Sequence, residues 1–219
     1  MNRAVLHGVE DLRAVVFDVG GTLVVSYGDG LCDRIARAAG RPIDKLRDAI
    51  DRCLRTSTAP FSVLVRGFAD ASGISEASLY NAGIGERAGH WEVYGDVWSC
   101  LNVLTRFEMA TLSNCAHWER ADLETLGIAQ YLEAEIYSFE VGCTKPDQRM
   151  YQAAENRLGR RPHQLLFVGD TVADVLGAIA HGWRAVLLRR VSTSNEDALS
   201  VPVISTLNEL PELLYLSIR

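Results

Sequence analysis

Short apolar runs of β-branched and aromatic residues alternate with stretches of helical apolar spacing along this chain. A short continuous apolar run is typical of a strand that is buried on both faces of a parallel sheet. Apolar residues that recur every three or four positions form one face of a helix. The pattern predicts strands at 14–17, 107–112, 136–137, 165–168, 185–188 and 203–204. It predicts helices at 97–106, 118–126, 147–158, 172–180 and from Thr206 onward.

One long segment interrupts this alternation. Residues 23–29 look like a glycine-containing connector, and no strand is predicted between Tyr27 and Trp91. Helical spacing predicts four consecutive helices in this segment, at 31–39, 43–54, 61–71 and from Ser75. Pro146, further along, is expected to be the first residue of the helix at 147–158. The order of elements therefore indicates an α/β fold, a doubly wound parallel sheet with an all-helical block inserted after the first strand.

Polar residues follow the predicted strands at the points where the strands end. They are Asp18, Ser113, Lys145, Asp170 and Asp174. Because the carboxyl ends of parallel strands lie on one edge of a sheet, these residues can meet in one ligand site. Carboxylates suit Mg²⁺, whereas lysine and serine supply donors for phosphate oxygens. One of the carboxylates can also attack phosphorus as a nucleophile.

The turn after the first strand strengthens this interpretation. Gly20 and Gly21 let backbone N–H groups crowd around an anion, and the hydroxyl of Thr22 adds a further donor. Lysine occurs only at Lys45 and Lys145 in a chain that is otherwise rich in arginine. A residue type that the chain otherwise avoids is expected to be retained for its chemistry.

Composition narrows the class of protein. The net charge of −6 argues against non-specific nucleic-acid binding, which needs a basic face. No apolar run reaches membrane length and residues 1–11 are polar and mixed, so we expect neither a membrane partner nor a signal peptide. Five cysteines without a C-x-x-C pair make zinc ligation or a disulfide framework unexpected and favour a reducing cytoplasm. We expect a monomer or a homodimer.

Four ordered motifs resemble those of the haloacid dehalogenase superfamily. They are F-D-V-G-G-T-L-V at 17–24, T-L-S-N at 111–114, T-K-P-D at 144–147 and V-G-D-T-V-A-D-V-L-G-A at 168–178. The resemblance spans nearly the whole chain. It implies a Rossmann-like core domain at 1–26 and 95–219, and a helical cap domain at 27–94.

The resemblance also implies roles for individual residues and a small phosphorylated molecule as substrate. Asp18 would be the nucleophile, and Ser113 and Lys145 would hold the transferring group. Mg²⁺ would bind Asp18, Asp170 and the backbone carbonyl of Gly20, while Asp174 would either assist the metal through water or pair with Lys145. The substrate-binding residues expected beside them are Gly21, Thr22, Asn114 and His117.

One position departs from the pattern of the family's phosphatases. They usually carry a second Asp two residues after the nucleophile, which protonates the leaving alcohol and then activates water. Gly20 occupies that position here, so the usual acid/base is missing. A positioned acid/base contributes roughly two to four powers of ten in rate. His117 is a candidate for a substitute acid.

Three functions remain open from the sequence. The first is a Mg²⁺-dependent phosphohydrolase whose acid comes from elsewhere or whose substrate has a good leaving group. The second is cleavage of a C–halogen or C–P bond. The full G-D-x-x-x-D segment at 169–174 argues against the C–halogen reaction, because a metal site favours phosphoryl chemistry. Cleavage of a C–P bond would require a lysine that forms a Schiff base with the substrate, and Lys45 is the candidate. The third is a binding or regulatory module that keeps the fold and the metal site.

Overall fold

The structure is a computed structural model, and it describes residues 6, 8–86, 90–191 and 201–216. Its centre is a six-stranded parallel sheet in the order β5-β4-β1-β6-β7-β8. The strands are β1 (Ala14–Phe17), β4 (Glu108–Ser113), β5 (Ala134–Tyr137), β6 (Leu165–Gly169), β7 (Arg184–Leu188) and β8 (Val203–Ile204). The predicted α/β class with a doubly wound parallel sheet is confirmed.

Helices cover both faces of this sheet. They are α5 (Val97–Val103), α6 (Ser138–Val141), α7 (Gln148–Leu158), α8 (Val172–Ala180) and α9 (Glu209–Leu216). All four residues of β1 are fully buried, and they alternate between two cores. Val15 and Phe17 share a core with residues of α5 and α9, whereas Ala14 and Val16 share the other with residues of α7 and α8. Burial on both faces explains why β1 reads as a continuous apolar run.

Four further helices form a separate apolar cluster. They are α1 (Leu31–Ala39), α2 (Arg47–Leu54), α3 (Phe61–Ser72) and α4 (Glu76–Asn81). Ile35, Ile50, Phe68 and Leu79 are almost fully buried within this cluster. A block with its own core is compatible with the expected domain at 27–94, whose boundaries stay a prediction. None of the described helices is long and apolar enough to span a membrane.

The prediction of a connector without a strand at 23–29 was wrong. Val24–Tyr27 forms β2, which pairs antiparallel with β3 (His90–Val93), outside the main sheet. The prediction failed because a two-stranded ribbon, exposed along much of its length, has no long apolar run: only Val24 of β2 is buried. The ribbon joins the two chain segments that lead into and out of the helical block.

The helix expected at 118–126 was also wrong, since residues 117–119 and 123–127 form turns. Trp118 packs against the cluster of the helical block, and its indole N–H donates to the carbonyl of Ile84 at 3.0 Å. Ala121 and Leu123 are instead buried in the core that contains residues of α5 and α9. Side chains that go to two separate cores cannot lie on one helix face, so the helical spacing was misleading.

Several boundaries differ from the prediction. The expected helix at 43–54 is a 3₁₀ turn at Ile43–Lys45 followed by α2, and α5 ends at Val103 rather than at residue 106. Pro146 precedes α7 instead of starting it, because Asp147 caps the helix by accepting a hydrogen bond from the N–H of Arg149 at 2.9 Å. The short helix α6 was missed, and α9 begins at Glu209 rather than at Thr206.

Candidate active site

The three central strands β4, β1 and β6 carry Ser113, Asp18 and Asp170 at or just beyond their carboxyl ends. These side chains line one cavity of about 420 Å³ together with Lys145 and Asp174. The sheet order therefore brings together the five polar residues that the strand-end pattern singled out. Lys145 arrives from the loop between α6 and α7, and Asp174 from the first turn of α8.

Lys145 is the centre of this group. Its side chain is fully buried, and its ammonium lies 2.8 Å from Oδ1 of Asp18 and 3.1 Å from Oδ2 of Asp174. Burial alone would lower the pKa of Lys145, but the two carboxylates outweigh it and raise that pKa above its ordinary value. The lysine is therefore charged. Of the two alternatives predicted for Asp174, the structure has the pairing with Lys145.

Two hydrogen-bonded supports fix this ion-pair cluster. The side-chain oxygen of Asn114 accepts from the backbone N–H of Lys145 at 2.8 Å, and its NH₂ group donates to the Lys145 carbonyl at 3.0 Å. Tyr151, which is fully buried, donates its hydroxyl to the backbone carbonyl of Asp174 at 2.7 Å. Asn114 was expected to bind substrate. It lines the cavity, but both ends of its amide hold the lysine backbone.

Asp170 faces Asp18 without sharing the lysine contacts. Its Oδ1 accepts a hydrogen bond from the hydroxyl of Thr171 at 3.3 Å. Burial, and next the negative charge of Asp18, raise the pKa of Asp170 to about 6. Two carboxylates that repel each other at a sheet edge form a pair that a cation would stabilise.

The oxygen ligands present can hold a divalent cation only if a backbone carbonyl is one of them. Within the described residues, no three His, Cys, Asp or Glu side chains form a group that could hold a metal ion by themselves. Asp18, Asp170 and the Gly20 carbonyl would supply three hard oxygen ligands, with water for the other positions, which is the kind of open site that Mg²⁺ takes.

The two glycines after Asp18 differ in their surroundings. Gly21 has a φ of +74°, and a Cβ atom there would lie 2.2 Å from Oδ2 of Asp170. Only glycine fits that position without moving the carboxylate. Gly20 has no neighbouring atom within 4 Å of where its Cβ would be. There is consequently open space for a side chain at this position.

Three of the expected substrate-binding residues do not line this cavity. Gly21 lines a neighbouring cavity, which Asp170 also lines. Thr22 is completely buried, and among the described atoms its hydroxyl has no hydrogen-bond partner. The ring of His117 packs edge-on against Trp118 and Phe139, at centroid distances of 5.0 and 6.2 Å. These positions give no direct support to the expected contacts with substrate.

Sequence reasoning missed a charged wall opposite the strand ends. Arg47, Asp51 and Arg55 line the cavity from α2 and the residue that follows it, and Arg55 pairs with Asp51 at 2.9 Å. Their spacing of four places them on one helix face, beside an apolar face that contains Ile50. That spacing was visible in the sequence, but it is equally typical of a solvated helix surface.

Glu119 also lines the cavity and was missed. Burial raises the pKa of its carboxyl to about 7, although the nearby guanidinium groups of Arg55 and Arg34 act in the opposite direction. Cys115, beside the site, has the pKa of its thiol raised by burial to about 12. The thiol therefore stays protonated, which agrees with a packing role rather than with a nucleophile.

The sequence of this chain matches a known protein family. The family model for haloacid dehalogenase-like hydrolases matches residues 12–182. Phosphoglycolate phosphatase 1 of Pseudomonas aeruginosa is 31% identical over 194 residues, which are 80% of this chain and 69% of that protein. (S)-2-haloacid dehalogenase 1 of Pseudomonas sp. strain CBS-3 is 34% identical over 111 residues, which are 49% of each chain.

The fold has solved counterparts. The structure of L-2-haloacid dehalogenase from Xanthobacter autotrophicus, with chloropropionic acid covalently bound, superposes with a TM-score of 0.64 at 24% identity, covering 93% of this chain and 98% of that one. At this identity the likeness shows the fold alone. In the curated matches, the chain spans about half the length of the first relatives. With the family model matching most of its length, the chain belongs to the haloacid dehalogenase-like hydrolases.

Proposed function

We propose that this hydrolase is a Mg²⁺-dependent phosphatase that acts on a small phosphorylated metabolite, with Asp18 as the nucleophile. The observation that carries the proposal is the buried Lys145 between Asp18 and Asp174, in a cavity that also contains Asp170. The lysine neutralises one side of the nucleophile, and a further carboxylate remains for a divalent cation. A cavity of about 420 Å³ has the size of a small-molecule site.

The chemistry follows from the positions of these groups. A carboxylate oxygen of Asp18 donates an electron pair to phosphorus, and the bond to the leaving oxygen breaks, which gives an aspartyl-phosphate. Lys145 and Ser113 hold oxygens of the transferring group, and Asp174 keeps the ammonium in place. When bound by Asp18, Asp170 and the Gly20 carbonyl, Mg²⁺ would neutralise phosphoryl charge. Water then hydrolyses the aspartyl-phosphate.

The helical block supplies the other half of the proposed site. Arg47, Asp51 and Arg55 face the strand ends across the cavity. We propose that residues 27–94 form a cap domain over a core of residues 1–26 and 95–219, joined by the ribbon of β2 and β3. The charged wall of α2 would then select substrates by the charge and size of their leaving group.

Cleavage of a C–halogen bond is the second candidate. It is favoured by Gly20 in place of the acid/base and by the likeness to (S)-2-haloacid dehalogenase 1. Cleavage of a C–P bond is less favoured, because Lys45 is exposed and does not line the cavity. A binding or regulatory module is the remaining alternative.

A hydrolysis panel separates these functions. Aryl, acyl and alkyl phosphates, a phosphonate and 2-chloropropionate are each assayed with and without Mg²⁺, with Asp18→Asn as the inactive control. The proposal expects Mg²⁺-dependent release of phosphate from esters or acyl phosphates. Metal-independent release of chloride, with no release of phosphate, would establish the second candidate. If none of the compounds is hydrolysed, a binding module is favoured.

The first prediction concerns Lys145. Lys145→Arg should lower kcat by at least about a hundredfold, because a planar guanidinium cannot occupy a fully buried position built for a compact ammonium. Lys45→Arg is the matched control, since the other lysine of the chain is exposed, and it should keep its activity. Near-normal turnover in Lys145→Arg, measured on protein with an unchanged circular dichroism spectrum, would contradict the role given to the ammonium.

The second prediction concerns the missing acid/base. Gly20→Asp should raise kcat/KM for alkyl phosphates by about tenfold or more and flatten the dependence on leaving-group acidity, because an acid then stands beside the nucleophile. The side chain has room there. Gly20→Asn has the same shape without the proton and should give no gain. A wild type that is already insensitive to leaving-group acidity would show that another group donates the proton.

The third prediction is a pH dependence of Mg²⁺ binding. The pKa of Asp170 is raised to about 6 in the metal-free fold, so the proton competes with the cation below that pH. Without metal, the charge on Asp170 costs stability as pH rises through 6, and protonation relieves this cost as pH falls. Added Mg²⁺ should therefore raise the melting temperature more at about pH 8 than at about pH 5.

The control for this third prediction is Asp170→Asn. It removes the titrating group and should abolish the difference between the two pH values. An equal Mg²⁺-induced shift at both values in the wild type would mean that Asp170 does not hold the cation.

A further inference from the structure

Arg190 lies two residues beyond β7, and its guanidinium reaches the loop that follows the nucleophile. Its Nε–H donates to the carbonyl of Gly21 at 3.2 Å, and an Nη2 hydrogen donates to the carbonyl of Thr22 at 2.7 Å. The same group makes a two-pronged ion pair with Asp96, at 2.9 Å from Nη1 and 3.0 Å from Nη2. Four contacts from one planar fork define its position closely.

Asp96 also accepts hydrogen bonds from the residues that precede α9. Its Oδ2 accepts from the hydroxyl of Thr206 at 2.7 Å and from the N–H of Leu207 at 2.8 Å. Burial works to raise the pKa of Asp96, but the hydrogen bonds from Arg190, Thr206 and Leu207 outweigh it and hold that pKa below its usual value. The carboxylate is thus a fixed anchor, and its side chain is only 10% exposed.

The anchor lies on the segment by which the chain returns from the helical block. Tyr94 and Asp96 connect β3 to α5, and the guanidinium carbon of Arg190 lies 3.7 Å from the centroid of the Tyr94 ring. The N–H of Tyr94 also donates to the carbonyl of Leu23 at 3.1 Å. Arg190 therefore contacts both chain segments that lead to the helical block.

The loop it holds borders the candidate metal ligands. Gly21 follows Gly20, and its Cα faces the carboxylate of Asp170 so closely that a Cβ would collide with it. The neighbouring Arg189 donates to the backbone carbonyl of Asp170. Two consecutive arginines after β7 thus bind the backbones of the two loops that carry the carboxylates, one loop each.

We propose that Arg190 is a positioning residue, which sets the distance between the loop at 20–22 and Asp170 and ties that loop to the segment at 94–96. The proposal rests on the proposed function only where it predicts a rate. Without the guanidinium, two loop carbonyls and the Asp96 carboxylate lose their shared donor. The loop is then free to move away from Asp170, and the cation site is no longer preorganised.

The test compares Arg190→Gln with Arg160→Gln. Arg160 also makes a two-pronged pair, with Glu108, but at the opposite end of the sheet from the site. Arg190→Gln should weaken Mg²⁺ binding, measured by calorimetry, by about tenfold to a hundredfold and lower kcat similarly with KM nearly unchanged. Amide exchange should accelerate at residues 20–27. Arg160→Gln should change neither Mg²⁺ affinity nor kcat.

Two variants keep the test decisive if Arg190→Gln does not fold. Arg190→Lys keeps the charge without the fork, and Asp96→Asn keeps the shape without the anchor charge; both should weaken Mg²⁺ binding. Wild-type Mg²⁺ affinity and loop exchange in a folded Arg190 variant would overturn the proposal. If the wild type cleaves no phosphate, the proposed function falls, while Mg²⁺ affinity and amide exchange still decide the role of Arg190.

Discussion

The ammonium of Lys145 lies fully buried between the carboxylates of Asp18 and Asp174, and a charge in such a place is stable only while its partners stay. Removing one partner of a buried pair typically costs about 3–5 kcal/mol, because the remaining charge has lost its solvent and its counter-charge. This constraint explains the supports around the site. Asn114 fixes the lysine backbone and Tyr151 fixes the backbone of Asp174, so hydrogen bonds to the main chain hold the cluster in place.

The sheet places a further carboxylate, that of Asp170, beside this cluster. Asp18 and Asp170 end adjacent strands, and the pKa of Asp170 is raised because burial and a like charge oppose its ionisation. Asp18 and Asp174 are thus paired with a protein cation, and Asp170 remains for an external cation. In the proposed function these two halves act on one phosphoryl group, and the arginines after β7 keep them at a fixed separation.

Much of the fold and of the site could be predicted because both depend on short-range signals. β1 is buried on both faces and reads as an unbroken apolar run, and the residues that end the central strands meet as parallel topology requires. The ribbon of β2 and β3 has no such run. The helical spacing around Trp118 and Leu123 comes from burial in two different cores. Arg55, Glu119 and Arg190 become meaningful only through contacts between segments far apart in sequence.

The most direct test of the central claim is the chemical state of Asp18 during turnover. The protein is incubated with acetyl phosphate and Mg²⁺, or with 2-chloropropionate, quenched in acid and digested, and the peptide that carries Asp18 is examined by mass spectrometry. A phosphoryl adduct on Asp18 is expected with the first compound and should be absent in Asp18→Asn. A 1-carboxyethyl ester on Asp18 with the second compound, formed as chloride leaves, and no phosphoryl adduct with the first would contradict the phosphatase function proposed for Asp18.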